Sequence, residues 1–478
     1  MNERRGELRK VKIVATLGPA SASADAVEAL ARSGADVFRI NCAHTRPEAI
    51  ADIVALVRRA EAAVGHPLGV FADLAGPKLR IARDTPQATV TTGEVMTLGR
   101  PGAGANITVE GLDPVRECPP GSRILLNDGK VTLVVESIGD TLVTARVARG
   151  GGFAGGKGVN LPDVETSLAA LTARDIACLE AALAAGIDML SLSFVRRGED
   201  VAALRREMTR CGRTVPVIAK IEKAQAVEPA TLRAILSTSD AIMVARGDLG
   251  AETSPEQVPV LQKCILRAAR ALGVPAITAT EMLESMIHEP RPTRAEAADV
   301  ANAVFDGTDA VMLSGETAVG DHPALVVASA DRIVREAERH GEFRTAWAAP
   351  RDMVETVSPI ADAVAAAAAE AADALGAAAI VCFTMTGRTA RLVARHRPIR
   401  PVLALTPRDE IARALALVWG VIPHPTAAVP DDHEAVVALA AAEVQAAGLA
   451  APGEWIVVTH GAPLAAQPLT NLMRVHRV

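Results

Sequence analysis

Several charged residues follow short apolar stretches of the chain, and their types suit the handling of phosphate and a divalent metal. The stretch "PVIAKIEKAQ" carries Lys220 and Glu222 two positions apart, so a strand there places both side chains on one face. The later stretch "ARGDLG" adds Asp248. Two carboxylates supply the hard oxygen ligands that Mg²⁺ or Mn²⁺ prefers, and Arg39 and Arg80 add further positive charge. Metal ligands beside fixed cations are what phosphoryl transfer requires.

The elements that must position these residues are short strands alternating with helical patterns. This order predicts an α/β fold built on a closed (β/α)8 TIM barrel, in which catalytic groups lie at the carboxyl ends of the strands. The predicted strands are 12–17, 36–40, 68–73, 188–193, 215–221, 241–245, 275–280 and 310–314. The candidate functional residues at or after the ends of these strands are Arg39, Asn41, His44, Asp73, Lys78, Arg80, Lys220, Glu222, Arg246, Gly247, Asp248, Thr280, Ser314 and Glu316.

The regular pattern is interrupted once and then replaced by a second α/β series. We expect residues 1–82 and 158–344 to form the barrel, 83–157 to form an inserted small all-β lid, and 345–478 to form a C-terminal α/β domain. The glycine-rich stretch "GGGFAGGKGVN", which contains Lys157, lacks the hydroxyl residue of a phosphate-binding loop of the Walker type. We interpret this stretch as a flexible hinge for the lid, or else as a plain linker.

Composition excludes some classes of partner. The net charge is −6 and no basic block is present among the 478 residues, so nucleic acid is not expected to bind. The six cysteines are scattered singly, as is typical of reduced thiols. The sequence shows neither a signal peptide nor an apolar run long enough for a membrane. We therefore expect a soluble cytoplasmic protein with no membrane partner.

The motifs together resemble those of the pyruvate kinase family over almost the whole chain. The similar segments include "KIVATLGPAS", "FRINCAH", "KGVNLP", "IMVARGDLG", "TATEMLESMI", "DGTDAVMLSGETA" and the closing "TNLMRVHRV". The resemblance implies a barrel with a β lid and a C-terminal regulatory domain. It also implies transfer of a phosphoryl group from phosphoenolpyruvate to ADP, giving pyruvate and ATP, with Mg²⁺ or Mn²⁺ as cofactor and a homotetramer as the assembly.

Carried over residue by residue, the resemblance also implies a role for each matching position. Glu222 and Asp248 would bind the divalent metal, and Lys220 would stabilise charge on the phosphoryl group in flight. The residues implied to contact phosphoenolpyruvate are Arg39, Lys220, Gly247, Asp248 and Thr280, of which Arg39, Lys220 and Thr280 are the catalytic candidates. The residues implied for the nucleotide are Asn41, His44, Arg80 and Lys157.

One departure from the family pattern concerns the monovalent cation. The family commonly binds K⁺ within motifs that resemble N-F-S-H and D-T-K-G-P-E, whereas this chain has "NCAH" and "DLAGPK". Asn41 and Asp73 remain, but Ala43 and Leu74 have lost the hydroxyl-bearing side chains, and Lys78 replaces an acid. Members with Lys there resemble the K⁺-independent kind, so we expect that K⁺ is not required. The alternative is that Lys78 is a solvated loop residue and K⁺ still binds.

The C-terminal domain contains a second candidate site. The segment "FTMTGRTARLVARH" places small and hydroxyl residues between a predicted strand and a helix, where a phosphorylated effector could bind, and it resembles the sugar-phosphate loop of the family. The candidates are Thr384, Thr386, Gly387, Arg388 and Thr389. A simple helix cap explains the same residues equally well.

Two other functions compete with kinase activity. One is another barrel enzyme that handles phosphoenolpyruvate, such as a lyase or mutase with a similar Mg²⁺ site; the lid and Lys157 argue against it because a lyase needs no nucleotide. The other is a degenerate paralogue that only senses metabolites, against which stand the retained Lys220, Glu222 and Asp248.

Overall fold

The computed structural model describes residues 8–100, 102–110, 113–127, 129–164, 166–340, 358–427, 430, 432–461 and 470–478. Among these, eight parallel strands close into a barrel, because the first strand pairs with both the second and the last. The barrel strands are Lys12–Leu17, Val37–Asn41, Gly69–Leu74, Met189–Leu192, Val217–Ile221, Ala241–Ala245, Ala276–Ala279 and Ala310–Leu313. The predicted (β/α)8 barrel is thus confirmed, and each predicted strand overlaps an observed one.

Helices surround the barrel, and capping residues fix where several of them begin. Thr293 accepts a hydrogen bond from the backbone of Glu296, and the Glu296 side chain accepts one in return, which satisfies two backbone donors at the helix start. Thr172 and Asp175 form the same arrangement. The long outer helices are Ala24–Arg32, Ile50–Val64, Ala173–Ala184, Gly198–Arg210, Pro229–Thr238, Val258–Leu272, Arg294–Phe305 and Pro323–Arg339. Shorter helical segments are Pro47–Ala49, Ala224–Val227, Arg246–Glu252, Glu284–Ile287 and Gly315–Ala318.

The insertion forms a second, smaller barrel between the third and fourth strands of the large one. In the described part of the chain, seven of its strands close on themselves and two others form a separate ribbon. Its strands are Leu79–Ile81, Ala88–Val90, Val95–Gly99, Ile107–Glu110, Arg123–Leu126, Val131–Ile138, Leu142–Arg149, Gly151–Phe153 and Gly158–Asn160, with one helical turn at Asp113–Arg116. Its first and last strands lie just outside the predicted range 83–157. We call this unit the small barrel.

Much of the glycine-rich stretch is paired backbone, which indicates ordered packing at this position rather than a flexible hinge or a plain linker. Gly151–Phe153 pairs with Ala88–Val90, and Gly158–Asn160 pairs with two neighbouring strands of the small barrel. A Cβ atom on Gly155 would lie 2.5 Å from the carbonyl oxygen of Arg83, and one on Gly150 would lie 2.5 Å from that of Val90. The glycines therefore permit close backbone packing, which their number in the sequence did not distinguish from flexibility.

The C-terminal domain is a five-stranded sheet, within the described residues, flanked by helices. Its strands, in spatial order, are Val421–Pro425, Val402–Thr406, Ala379–Phe383, Trp455–His460 and Leu472–Arg477, and only the last pairs antiparallel. Its helices are Pro359–Ala374, Arg388–Ala394, Asp409–Leu415 and His433–Ala446. The predicted α/β character is confirmed, whereas the predicted boundary between 344 and 345 falls outside the described residues.

The C-terminal domain packs against the end of the large barrel at which the strands begin. Ala416 and Leu417 join the apolar cluster inside the barrel, where they meet side chains such as Val37 and Met189. Arg413 forms an ion pair with Glu61 at 2.7 Å, and Lys12 donates to the carbonyl oxygen of Val421. These contacts leave the opposite end of the barrel, which we call the barrel mouth, free for chemistry.

Candidate active site

Lys220 and Glu222 lie side by side at the barrel mouth. The strand Val217–Ile221 ends between them, and the Lys220 ammonium is 2.9 Å from Glu222 Oε1. The same ammonium donates to Ser193 Oγ at 2.9 Å and lies 3.5 Å from Asp73 Oδ2. Lys220 and Glu222 are only 9% and 1% exposed, so a strand that is otherwise apolar holds a buried ion pair at the barrel mouth.

Burial and charge act in opposite directions on the pKa of Lys220. Burial alone would lower it, but the carboxylates of Asp73 and Glu222 outweigh burial and hold the pKa of Lys220 above its ordinary value. For Glu222, burial is the largest influence and the nearby Asp248 adds to it, so the pKa of Glu222 is raised despite Lys220. The Lys220 ammonium is therefore charged at neutral pH, and a metal cation would relieve the repulsion between Asp248 and Glu222.

Arg39 and Asp73 form a second buried ion pair on neighbouring strands. The Arg39 guanidinium contacts Asp73 Oδ2 through Nη2 at 2.6 Å and Nε at 2.8 Å. Burial would raise the pKa of Asp73, but Lys220 and Arg39 hold it below the ordinary value. Ser191, which lies opposite Asp73 on the adjacent strand, also faces this carboxylate and helps to lower its pKa.

Asp248 lies at the start of the short helix Arg246–Glu252. Lys78 reaches it from the neck of the small barrel, by which we mean residues 78–83 and 155–160, where the chain enters and leaves that unit. Lys78 Nζ is 2.9 Å from Asp248 Oδ1 and 5.4 Å from the centre of the Phe194 ring. In the described part of the chain, no group of three or more His, Cys, Asp or Glu side chains could enclose a metal ion. Two carboxylates nevertheless suit Mg²⁺, because that ion commonly keeps several waters and takes other ligands from its substrate.

Thr280 has a strained backbone that places its hydroxyl beside Gly247. Its φ angle is +71°, which is unusual for a β-branched residue, and Glu281 follows at +53°. Thr280 Oγ1 accepts a hydrogen bond from the Gly247 backbone at 2.9 Å, and Arg246 donates to the Thr280 carbonyl oxygen at 2.7 Å. Strain of this kind persists where the surroundings over-determine it, and it clusters at functional sites.

The four predicted nucleotide residues fall into two pairs. Asn41 and His44 lie after the second barrel strand, where Asn41 Oδ1 accepts from the backbone of Ala43 and His44 is exposed. Arg80 and Lys157 lie at the neck of the small barrel, where Arg80 donates to the carbonyl oxygen of Gly156 and Lys157 is exposed. The structure places the members of each pair close together along the backbone. None of its hydrogen bonds or ion pairs between described residues joins one pair to the other.

The effector candidates lie in the C-terminal domain around the start of the helix Arg388–Ala394. Gly387 has a φ of +79°, a left-handed conformation that glycine adopts readily. Thr386 is exposed, Arg388 is partly exposed, and Thr384 is buried. The Thr389 hydroxyl is already engaged, because it lies 2.6 Å from that of Thr470.

Sequence reasoning missed several residues that shape the barrel mouth. Ser193 and Phe194 follow the fourth strand, and Phe194 donates its backbone N–H to Glu222 Oε2 at 2.7 Å from a φ of +55°. The expectation that functional residues lie at the carboxyl ends of barrel strands would have identified Ser193, because Ser193 directly follows the fourth strand. The left-handed backbone of Phe194 left no signal in the sequence.

Two other carboxylates near the mouth are structural. Glu316, a predicted candidate, is fully buried and accepts from the backbones of Leu283 and Ser314. Glu252, which was not predicted, is also fully buried and binds Lys223 at 2.7 Å. Asn160 of the small barrel donates to the same Glu252 oxygen, so this carboxylate ties the small barrel to the large one.

No helix in the described ranges is both long enough and apolar enough to cross a membrane.

The chain matches two family models, "Pyruvate kinase, barrel domain" over residues 8–327 and "Pyruvate kinase, alpha/beta domain" over residues 362–476.

Similar proteins align over nearly the full length. A pyruvate kinase of Methylorubrum extorquens is 41% identical over 471 residues, covering 98% of this chain and 97% of the relative. One of Corynebacterium glutamicum is 41% identical over 476 residues with the same coverage. A crystal structure of a pyruvate kinase from Cryptosporidium parvum is similar with a TM-score of 0.90 at 32% identity, covering 98% of this chain and 96% of that one. The chain therefore belongs to the pyruvate kinase family of phosphotransferases.

Proposed function

We propose that this chain transfers the phosphoryl group of phosphoenolpyruvate to ADP and so forms pyruvate and ATP, the last step of glycolysis. The observation that carries the proposal is the buried Lys220 ammonium, which lies between the carboxylates of Asp73 and Glu222 at the barrel mouth. A fixed cation there stabilises negative charge on a phosphoryl group in transfer without having to reorganise. Its raised pKa keeps it charged at neutral pH.

Glu222 and Asp248 would hold Mg²⁺ or Mn²⁺. The fit is supported by their chemistry, since both are oxygen donors and Asp248 raises the pKa of Glu222 by proximity. When bound, the ion supplies positive charge that neutralises phosphate oxygens of the substrates. Lys78 and Lys220 are the groups that pair with these carboxylates in the structure, so the protein's own cations already compensate part of their charge.

The substrates would lie on either side of this centre. Arg39, Gly247 and Thr280 are assigned to phosphoenolpyruvate, with Arg39 near its phosphate and Thr280 near the route of the proton that converts enolpyruvate to pyruvate. The nucleotide is assigned to Asn41, His44, Arg80 and Lys157. The position of Arg80 and Lys157 at the neck of the small barrel supports a role for that barrel as a lid over the nucleotide.

Lys78 would replace K⁺ as the resident monovalent charge. Its contact with Asp248 supports a charge at the barrel mouth, where the side chain is only 22% exposed, although its contacts with described residues do not include Asn41 or Asp73. The alternative is that K⁺ still binds beside Asn41 and Asp73, both of which remain in this chain. We favour Lys78 because the hydroxyl-bearing residues of the family pattern are absent at Ala43 and Leu74.

The remaining assignments concern regulation, assembly and compartment. A phosphorylated effector would bind at Thr384, Thr386, Gly387, Arg388 and Thr389, of which Thr386 and Arg388 are accessible. A homotetramer is assigned from family membership alone. A cytoplasmic location is supported by the six cysteines, all of which are free.

The test is pyruvate formation from phosphoenolpyruvate and ADP with Mg²⁺, in a buffer of tetramethylammonium salts free of K⁺. We expect full activity that does not change when K⁺ is added. Activity that appears only with K⁺ would retain the kinase and reject the role of Lys78. An absence of activity in both buffers, from folded protein supplied with Mg²⁺ or Mn²⁺, would reject the kinase and favour the metabolite sensor.

A further inference from the structure

A small cavity lies between the large barrel and the C-terminal domain, at the end of the barrel opposite Lys220. Four arginines line it: Arg270 from the barrel helix Val258–Leu272, and Arg391, Arg395 and Arg397 at and just after the helix Arg388–Ala394. Its volume is about 10 Å³, which suits one water-sized or monatomic occupant. The mechanism proposed above uses none of these residues.

Three of the arginines carry buried N–H groups that lack an acceptor. These are Nε of Arg270, Nη1 of Arg395 and Nε of Arg397, and none has a hydrogen-bond partner among the described residues. All three residues are only 8% exposed. Because a guanidinium can only donate, the shared need of these groups is for an acceptor. Leaving buried donors without an acceptor costs folding free energy, so several such donors in one cluster of arginines indicate that a partner is missing.

The one carboxylate that lines the cavity cannot supply that acceptor. Asp309 Oδ1 accepts from Arg397 at 3.0 Å and from the Trp419 backbone at 3.2 Å. Asp309 Oδ2 accepts from Arg397 at 3.1 Å and from the Ala276 backbone at 3.0 Å. Both oxygens are therefore committed to groups other than the unpaired N–H groups of the cluster.

The cluster also carries more positive than negative charge. Arg395 is paired with Asp362 at 3.1 Å, and Arg391 is 3.9 Å from Asp240, which is itself paired with Arg205. Arg270 has no ion pair with any described carboxylate. Burial and, secondarily, the neighbouring Arg397 lower the pKa of Arg270 to about 10, and Asp309 offsets only part of this effect.

A water molecule satisfies this cavity less well than an anion does. Water accepts about two hydrogen bonds and is neutral, whereas the unpaired N–H groups that line this cavity belong to cations. A monatomic anion accepts several donors and also offsets the excess charge. The enclosed part of the space holds about one water-sized particle, which favours a monatomic anion over phosphate or sulfate.

We propose that a monovalent anion of the size of chloride binds in this cavity, contacting Arg270 and Arg395 and linking the barrel to the C-terminal domain. The anion joins the helix Val258–Leu272 to the helix Arg388–Ala394 by charge-assisted hydrogen bonds from both. It stabilises the contact between the two domains. This site does not depend on the reaction that the barrel mouth catalyses.

The first test is crystallography with bromide, which binds where chloride does and scatters X-rays anomalously. Crystals of the unaltered chain grown in sodium bromide are expected to show an anomalous peak inside the cavity, within hydrogen-bond distance of Arg270 and Arg395. Density without an anomalous signal at that position would identify water and overturn the proposal. Because the protein is unaltered, the result does not depend on how a variant folds.

The second test measures the midpoint of thermal unfolding while sodium chloride replaces sodium gluconate at constant ionic strength. The midpoint is expected to rise and then saturate for the unaltered chain, as it does for a ligand of the folded state. Arg270→Met should lose most of this rise. Arg267→Met removes the same charge from an exposed position on the same helix and should retain it. An equal rise in both variants would overturn the proposal.

Discussion

The Lys78 ammonium lies 2.9 Å from Asp248 Oδ1, although the two residues are 170 positions apart in the chain. Lys78 belongs to the segment that enters the small barrel, whereas Asp248 follows the sixth strand of the large barrel. The contact therefore crosses the mouth between the two units. A loop residue that occupies the site in this way is suited to act as a fixed positive charge beside the metal and the substrates.

Replacing Lys78 should create a need for K⁺. We expect Lys78→Met to lower pyruvate formation in K⁺-free buffer by roughly 100-fold, since one preorganised charge is lost from the site. Lys263→Met is a matched control, because Lys263 also pairs with a carboxylate, that of Asp306, but lies on an outer helix with its side chain 53% exposed. Combining Ala43→Ser, Leu74→Thr and Lys78→Glu should make the activity respond to K⁺. Undiminished K⁺-free activity of Lys78→Met would contradict the assignment.

Glu222 should control the response to the divalent metal. We expect Glu222→Gln to lower kcat by roughly 10²-fold or more and to raise the Mg²⁺ concentration needed for half-maximal activity, because an amide oxygen binds a hard cation less strongly. A titration of activity against Mg²⁺ measures both effects. Glu228→Gln changes an exposed carboxylate six positions away and serves as the control. An unchanged Mg²⁺ titration for Glu222→Gln would remove Glu222 from the metal site.

The hydroxyl and the backbone of Thr280 should affect different measurements. Thr280→Ala is expected to lower kcat by roughly 10²-fold, and Thr280→Ser, which keeps the hydroxyl, should stay close to the unaltered chain. Thr280→Gly should be equally inactive but more stable than Thr280→Ala by about 1 kcal/mol, because glycine tolerates a φ of +71°. Pyruvate formation and the midpoint of urea unfolding measure the two effects. Full activity of Thr280→Ala would exclude the hydroxyl from the reaction.

His396 should make the C-terminal domain sensitive to acid. Burial and the neighbouring Arg395 lower the pKa of His396 from its ordinary value of 6.5 to about 4. At pH values below the ordinary pKa, the folded state therefore binds fewer protons than the unfolded state. The free energy of unfolding should therefore fall as the pH drops from about 6.5 to about 4, with His396 contributing up to about 3 kcal/mol of the loss.

The variant His396→Asn is expected to unfold in urea with a weaker dependence on pH over this range. His66→Asn, which changes an exposed histidine of the large barrel, should keep the dependence of the unaltered chain. Identical pH profiles for His396→Asn and the unaltered chain would show that the burial of His396 does not govern this sensitivity.

Gly155 should be required for packing at the neck of the small barrel. A Cβ atom there would lie 2.5 Å from the Arg83 carbonyl oxygen and 2.7 Å from that of Ala82, so Gly155→Ala should destabilise the protein by about 1–3 kcal/mol. Gly152→Ala is the matched control, since its Cβ atom would meet nothing closer than 3.9 Å. Hydrogen exchange of the small barrel measures the loss. Equal exchange in both variants would restore the interpretation of this stretch as a flexible hinge.

The sequence was sufficient to predict the features that depend on the side-chain period of a strand and on the order of the strands along the chain. Alternation along a strand placed Lys220 and Glu222 on one face, and the order of strands placed Asp248 at the same end of the barrel. Contacts between distant loops were not predictable in this way. The partner of Lys78 depends on how the neck of the small barrel sits over the mouth, and the φ angles of Phe194 and Thr280 depend on tertiary contacts that override local preference.

The two strands that connect the small barrel to the large one, Leu79–Ile81 and Gly158–Asn160, are hydrogen-bonded to each other. The chain therefore leaves and re-enters the large barrel at adjacent points. A cut through both strands could be closed by a short turn without separating the third barrel strand from the fourth. We therefore expect that the small barrel can be removed, and that a chain without it still closes its eight-stranded barrel.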